Sequence, residues 1–519
     1  ENMLAEALKE LLANKLWLMR KEALASSDTE TVIAEVSETD KYINENGDTH
    51  LILLIINGDE EKAIKHILED EESHPEVVNS YGDTALLLSI HYSMEKLAIV
   101  ILETGSALPE HIDSHENSAL IFSIKKNLPK VANKIIDLYE NYNINHVDSH
   151  GDTALSVALR LRMFDIADKL IDNKLCKIFH VDENKDTPLL IAIEMIGNGI
   201  DESLIEKIIK TGKSKPNYVN KHGFTPLLLS LTKDSPHIAK LLIETNNSNI
   251  SHIGDCSDTA LTLALSKDYE EISNMIINRH PMNISHINAE GDTALLLSLA
   301  RGYKSVAKKI LQYDTENINI INKNGDIALF LAINNGDEDL ALEIFKSNRN
   351  NYDIIAKNRC VINDENDDKN DNNTEEKRKD EELKEIPGGD TSLIMAINCG
   401  MLNLADEILK IAKPELIGYV NKHNDTALIL SITKQFYDFA IKIIETTYSN
   451  PTHVNNQNDT ALILACGMGA THVAKKLLTI HYDCNVKHKN NYDRSALDIA
   501  KHYGWNDIIN LVNQRFPNC

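Results

Sequence analysis

Aromatic side chains are scarce in this 519-residue chain: Phe, Tyr and Trp make up 5% of it, and only two residues are Trp. Bulky rings dominate the core of a large single domain, whereas small aliphatic side chains fill thin layers between helices. No run of eighteen apolar residues exists, so no helix is expected to span a membrane. The start, Glu1-Asn2-Met3, is not a signal peptide and lacks an initiator Met, as expected of a processed form or an excised fragment. The seven cysteines are scattered and form no Cys-x-x-Cys, which points to free thiols in a reducing compartment such as the cytoplasm. There is no glycine-rich phosphate loop followed by Lys-Ser/Thr and no His-Glu-x-x-His, so no catalytic residue, cofactor-binding residue or metal ligand is assigned. Cys399 and Cys466 fall at the end of an apolar segment that recurs along the chain, which explains them without chemistry. Positive charge is outnumbered, 53 Lys and Arg against 79 Asp and Glu, a net charge of −26. That balance opposes nucleic-acid binding, keeps a long chain soluble and, by steering, favours a basic protein partner.

What the chain does have is a phrase that recurs thirteen times, Gly-Asp-Thr-Ala-Leu in its best copies. Aligned on its Thr or the replacement, the anchors are Thr49, Thr84, Ser118, Thr153, Thr187, Thr225, Thr259, Thr293, Ile327, Thr391, Thr426, Thr460 and Ser495. All but two of the spacings are 34 or 35; the exceptions are 38 before Thr225 and 64 before Thr391. Such a period predicts stacked units rather than one core. After each anchor comes an apolar stretch, such as Ala85 to Ile90, and then a second amphipathic one, such as Glu95 to Leu102. A polar extended segment then leads to the next Gly-Asp-Thr. Gly82 suits a turn with positive φ, and Asp83-Thr84 stands where a helix N-cap belongs.

The pattern resembles the ankyrin repeat. The core of that motif appears here as Gly82-Asp83-Thr84-Ala85-Leu86 and Gly151-Asp152-Thr153-Ala154-Leu155, and Pro is kept in Thr187-Pro188-Leu189 and Thr225-Pro226-Leu227. The polar finger before the turn is matched by Ile144-Asn145-His146-Val147-Asp148. The family's His after Pro-Leu is replaced by Leu, Ile, Val or Phe, as at Leu87. The resemblance covers roughly Tyr42 to Phe516 and implies an all-α ankyrin-repeat solenoid. That fold has stacked helix pairs with extended, β-hairpin-like fingers and a right-curving superhelix.

The organisation expected is a helical cap, a degenerate opening repeat, at 1–41; nine repeats over 42–357; an acidic insertion at 358–387; and four repeats with a C-terminal cap over 388–519. Asn363 to Ile386 holds eleven acidic and five basic residues and almost nothing apolar, so it is expected to be disordered. The longer spacing before Thr225 places four extra residues around Gly197-Asn198-Gly199.

Seven His residues (111, 146, 180, 252, 286, 453 and 488) sit seven positions before an anchor. Stacked layers roughly 8–10 Å apart would line them up too far apart to share a zinc ion. They are read as a repeated finger position, with a weak acid-sensing ladder as the alternative. Asp before the anchor also recurs, as at Asp48, Asp83, Asp152, Asp258 and Asp459, and reads either as helix capping or as an acidic strip for a basic partner.

The resemblance places the binding surface on the finger tips and on the inner ends of the first helices. The tips, three before the anchor, include Tyr81, His115, His150, His222, His423 and Tyr492. The helix ends, seven or eight after it, include His91, Tyr92, Lys125, Lys126, Arg160, Arg301, His502 and Tyr503. The expected function is non-enzymatic protein–protein interaction, with no cofactor, nucleic acid, membrane or small-molecule substrate. The alternative is a targeting or autoinhibitory region of a larger enzyme or toxin. Abundant Asn, Ile and Lys, together with the length of the array, resemble arrays of intracellular bacterial symbionts, giant DNA viruses and some protists. That implies a host-directed effector acting in host cytoplasm or nucleus.

Overall fold

The computed structural model describes residues 44–70, 73–139, 143–245, 247–313, 317–347, 359–360, 384–385, 390–481 and 484–516. The expected opening helices at 1–41 lie outside them. So does the expected disorder of 363–386, save for Lys384–Glu385, which pairs antiparallel with Arg359–Cys360. The chain divides into two compact units, 1–255 and 256–519. The first holds the six repeats anchored at Thr49 to Thr225, and the second holds the seven anchored at Thr259 to Ser495.

Every anchor opens a helix pair. In the Thr84 repeat the first helix is Ala85–His91 and the second Glu95–Glu103. First helices are seven residues long up to the last, Ala496–Tyr503, which has eight. They are shorter than the apolar run suggests because a left-handed residue, such as Ser93 with φ 58°, soon turns the chain into the second helix. The anchor oxygen makes the start. Thr84 is extended, and its hydroxyl accepts the N–H of Leu87 at 3.2 Å, satisfying one donor the helix cannot. Every other anchor caps the same way except Ile327, which has no hydroxyl. Thr84→Val keeps the shape and removes the acceptor. It should lower stability by about 1 kcal/mol in urea denaturation, with the midpoint shifted and the slope unchanged.

The core lies between the two helix layers. Leu86, Ile90, Leu97, Ala98 and Ile101 are fully buried, and burying one such large aliphatic side chain stabilises by about 1.5–3 kcal/mol. An Ala at the centre of the second helix (Ala98, Ala132, Ala167) allows close approach to the first. A buried Ser in the first helix does likewise, its hydroxyl donating to the carbonyl a turn back, as from Ser89 to Leu86 at 2.7 Å. The four extra residues before Thr225 lie, as expected, between the helices Pro188–Glu194 and Glu202–Lys210, where Gly197 and Gly199 take positive φ.

The acidic insertion leaves its flanking helices stacked. Ala328–Asn334 packs on Ser392–Asn398, and Glu338 accepts the N–H of Asn403 at 2.8 Å. At the last repeat two core positions change character. Asp498 and Lys501 stand where the Thr84 repeat has Leu87 and Ile90, so the outward face of this repeat suits water. Among the described residues no helix is long and apolar enough to cross a membrane.

Candidate partner-binding face

The finger between one helix pair and the next is a tight turn, held in most repeats by a single Asn or Asp five residues before the anchor. Asn79 Oδ1 accepts the N–H of Tyr81 at 3.1 Å and that of Asp83 at 2.9 Å. The chain returns through Gly82 at φ +81° to a single antiparallel bridge between Val78 and Thr84. The same left-handed position is filled by Glu116, Lys185, Ser257, Asn424, Asn458 and Asp493 in other repeats, with φ of 56–63°. The turn imposes this conformation whether or not glycine is there to relax it.

Fingers are tied to the ones before them by bonds of two kinds. The His seven before the anchor points back to a carbonyl of the preceding turn. His111 Nε2 meets Gly82 O at 2.8 Å, His180 meets Gly151 O at 2.9 Å and His453 meets Asn424 O at 2.9 Å. His146, His252, His286 and His488 do the same. The hinge Asn makes the second tie. Asn79 Nδ2 donates to Asp48 at 2.8 Å, Asn322 to Asp292 at 2.8 Å and Asn421 to Asp390 at 2.8 Å. These geometries assign a role to each recurring residue. The His is a clip between fingers. The Asp before the anchor does not cap the helix, since the Thr does. In most repeats it receives the next repeat's Asn hinge, as Asp48, Asp186, Asp292, Asp390 and Asp459 do. Among the described residues no group of His, Cys, Asp or Glu is placed to share a metal ion.

Turn, capped helix, second helix and finger, each finger clipped to its neighbour at one period, define the architecture. Each unit is an ankyrin-repeat stack. No family model matches the chain, and no curated protein matches it. Among solved structures it is similar to the ankyrin repeat domain of Bcl-3, described as a unique member of the IκB protein family. The identity is 19% and the TM-score 0.34, over 45% of this chain and 99% of that one.

In the 1–255 unit three hinges are Asp rather than Asn: Asp113, Asp148 and Asp182. A carboxylate cannot donate to the preceding finger, and it adds charge to it. In these three repeats, and in no other that is followed by a hinge, the residue seven after the preceding anchor is basic: His91, Lys125 and Arg160. Lys125 Nζ lies 2.8 Å from Asp148 and donates to Asn117 at 2.8 Å. Burial works to raise Asp148, but the bond from Lys125 and the N–H groups of Asp152 and His150 outweigh it and hold its pKa below the usual carboxylate range. Arg160 bonds Asp182 and stands 3.5 Å from Asp152 and 3.7 Å from Asp186. Asp152 itself is pushed up by burial, against the pull of Arg160. His91 is held low by burial and by Lys126, while Asp113 pulls it up.

The expected site residues therefore divide. Arg160 and His91 face the acids of the fingers, and Tyr92 stands edge-on to His91 with ring centroids 5.2 Å apart. Arg301 is occupied with Asp268 at 3.1 Å and the Ser266 carbonyl at 2.8 Å. The tips differ. His115, His150, His222 and His423 are exposed, as are Tyr81 and Tyr492, at 49% and 82%. Tyr81 reaches the neighbouring tip through a weak bond to Asn46, at 3.4 Å. The hinge pairing is not among the sequence expectations. Its signal is a basic residue at one helix position which, among repeats followed by a hinge, occurs only before an Asp hinge.

Proposed function

We propose that the chain is a non-enzymatic scaffold that binds a partner protein along the finger tips and first-helix ends. One observation carries this reading. The finger positions that recur in sequence are occupied by bonds between repeats, while the tip three before the anchor is exposed and differs among repeats, as at Tyr81, His115, Asn184, Cys256, Glu290 and Gln457. A constant frame with variable exposed tips suits recognition of an extended protein surface, and Tyr is a favoured anchor in such interfaces. The basic partner suggested by net charge gains little from the Asp positions, because most of them already hold an Asn of the next repeat. A host-directed role in the cytoplasm or nucleus of another cell is the finer form of this proposal, and the composition rich in Asn, Ile and Lys is its support.

Replacing Tyr81, His115, His150 and His222 together with Ala should weaken partner binding by about tenfold or more in a titration, since single tips contribute only ~1 kcal/mol. The melting temperature should stay unchanged. Unaltered affinity would move the binding site elsewhere and refute the assignment.

A further inference from the structure

The net charge of the chain is −26, yet the corresponding face of its last three repeats, anchored at Thr426, Thr460 and Ser495, carries the opposite sign. Lys422 stands at a finger tip, Lys434 at a first-helix end and Arg494 just before an anchor. All three are exposed, and no ion pair forms on them among the described residues. The acids beside them are already engaged. Asp493 is held by Lys489 at 3.1 Å, Asp459 accepts from Asn490 at 2.9 Å and Asp425 is bonded by Asn455.

The same face carries apolar surface. Tyr492 is 82% exposed, Tyr503 56% and Met468 36%. Tyr503 stands edge-on to His502 with ring centroids 4.9 Å apart and lies 6.1 Å from Trp505. The Trp505 indole N–H is buried and has no hydrogen-bond partner. Such a donor costs free energy unless an acceptor arrives.

We propose that this face binds an acidic linear segment of a partner protein. Its carboxylates would pair with Lys422, Lys434 and Arg494, and an apolar side chain would rest between Met468, Tyr492 and Tyr503. The inference deepens the scaffold function and rests on it. A nucleic acid is the less favoured occupant. A polyanion needs many uncompensated cations along its track, and here Asp425, Asp459 and Asp493 interrupt them.

The test is to pan a random linear peptide library on the whole chain and to measure the enriched peptides by fluorescence anisotropy. The expected peptides carry Asp or Glu beside an aromatic residue or Leu and bind less tightly as salt rises. Lys422→Glu/Lys434→Glu/Arg494→Glu should weaken them by about tenfold or more, and so should Tyr492→Ala/Tyr503→Ala. The milder Lys434→Gln/Arg494→Gln should give a smaller loss with the helical circular dichroism unchanged, and Lys96→Ala, on the second helix Glu95–Glu103, should give none. Enrichment of basic peptides, charge variants that bind normally, or tighter binding of a single-stranded RNA oligomer lost in the same variants would overturn the inference. Peptides that map to Tyr81 and His115 would overturn it and leave the scaffold function standing. Peptides that map to the second helices would overturn both.

Discussion

Arg160→Ala should destabilise the 1–255 unit by about 2–3 kcal/mol, and Asp182→Asn should remove most of that cost. Without the guanidinium, Asp152, Asp182 and Asp186 share a half-buried corner with no cation between them. The loss is placed below the roughly 3–5 kcal/mol of fully buried pairs because the Arg160 side chain keeps 32% exposure. The second substitution turns this hinge into the one used elsewhere in the chain. An Asn at 182 can donate to Asp152 as Asn220 donates to Asp186, at 2.9 Å. In that background Arg160→Ala should cost less than about 1 kcal/mol. Urea unfolding of the four proteins checks it, and strictly additive effects would show that Arg160 and the Asp hinge are not coupled.

The second large effect is expected from the His clips. His111→Ala, His146→Ala and His180→Ala each remove one bond between fingers of the same unit, at Gly82, Glu116 and Gly151. A neutral hydrogen bond contributes about 1 kcal/mol net, so the triple variant should lose about 2–3 kcal/mol. Amide exchange should quicken at the fingers before it does in the second helices. Zinc should leave the unfolding midpoint of the parent protein unchanged, because each clip has a backbone carbonyl as its partner. A zinc-dependent midpoint would restore a metal role to these residues.

Much of this architecture is legible in the sequence because its determinants are local and repeated. Thr84 caps the helix that it precedes, Leu86 and Ile90 face inward at helical spacing, and the period of 34 or 35 requires each unit to cover the next. The four added residues near Gly197 can be placed between two helices for the same reason. Bonds that cross from one repeat to another are not legible. Asp48 and Thr49 are adjacent and both are good capping residues, and only the folded geometry separates the Thr that caps from the Asp that accepts Asn79 of the next finger. Arg160 reads in the sequence as an exposed inner-face residue because its helix position is open in other repeats. It turns inward here because the next hinge is Asp182. The tips are the simpler case, since a turn of this kind exposes the residue three before the anchor whatever its identity.

Site-specific photocrosslinking tests the central claim, a constant frame with a variable binding face, most directly. A crosslinking amino acid is placed singly at Tyr81, His150 or His423 on the tips, and at Lys96 or Lys442 on second helices. The crosslinked partner should appear from the tip positions and fade when unlabelled parent chain is added as competitor. Crosslinks confined to Lys96 and Lys442, with none from the three tips, would contradict it.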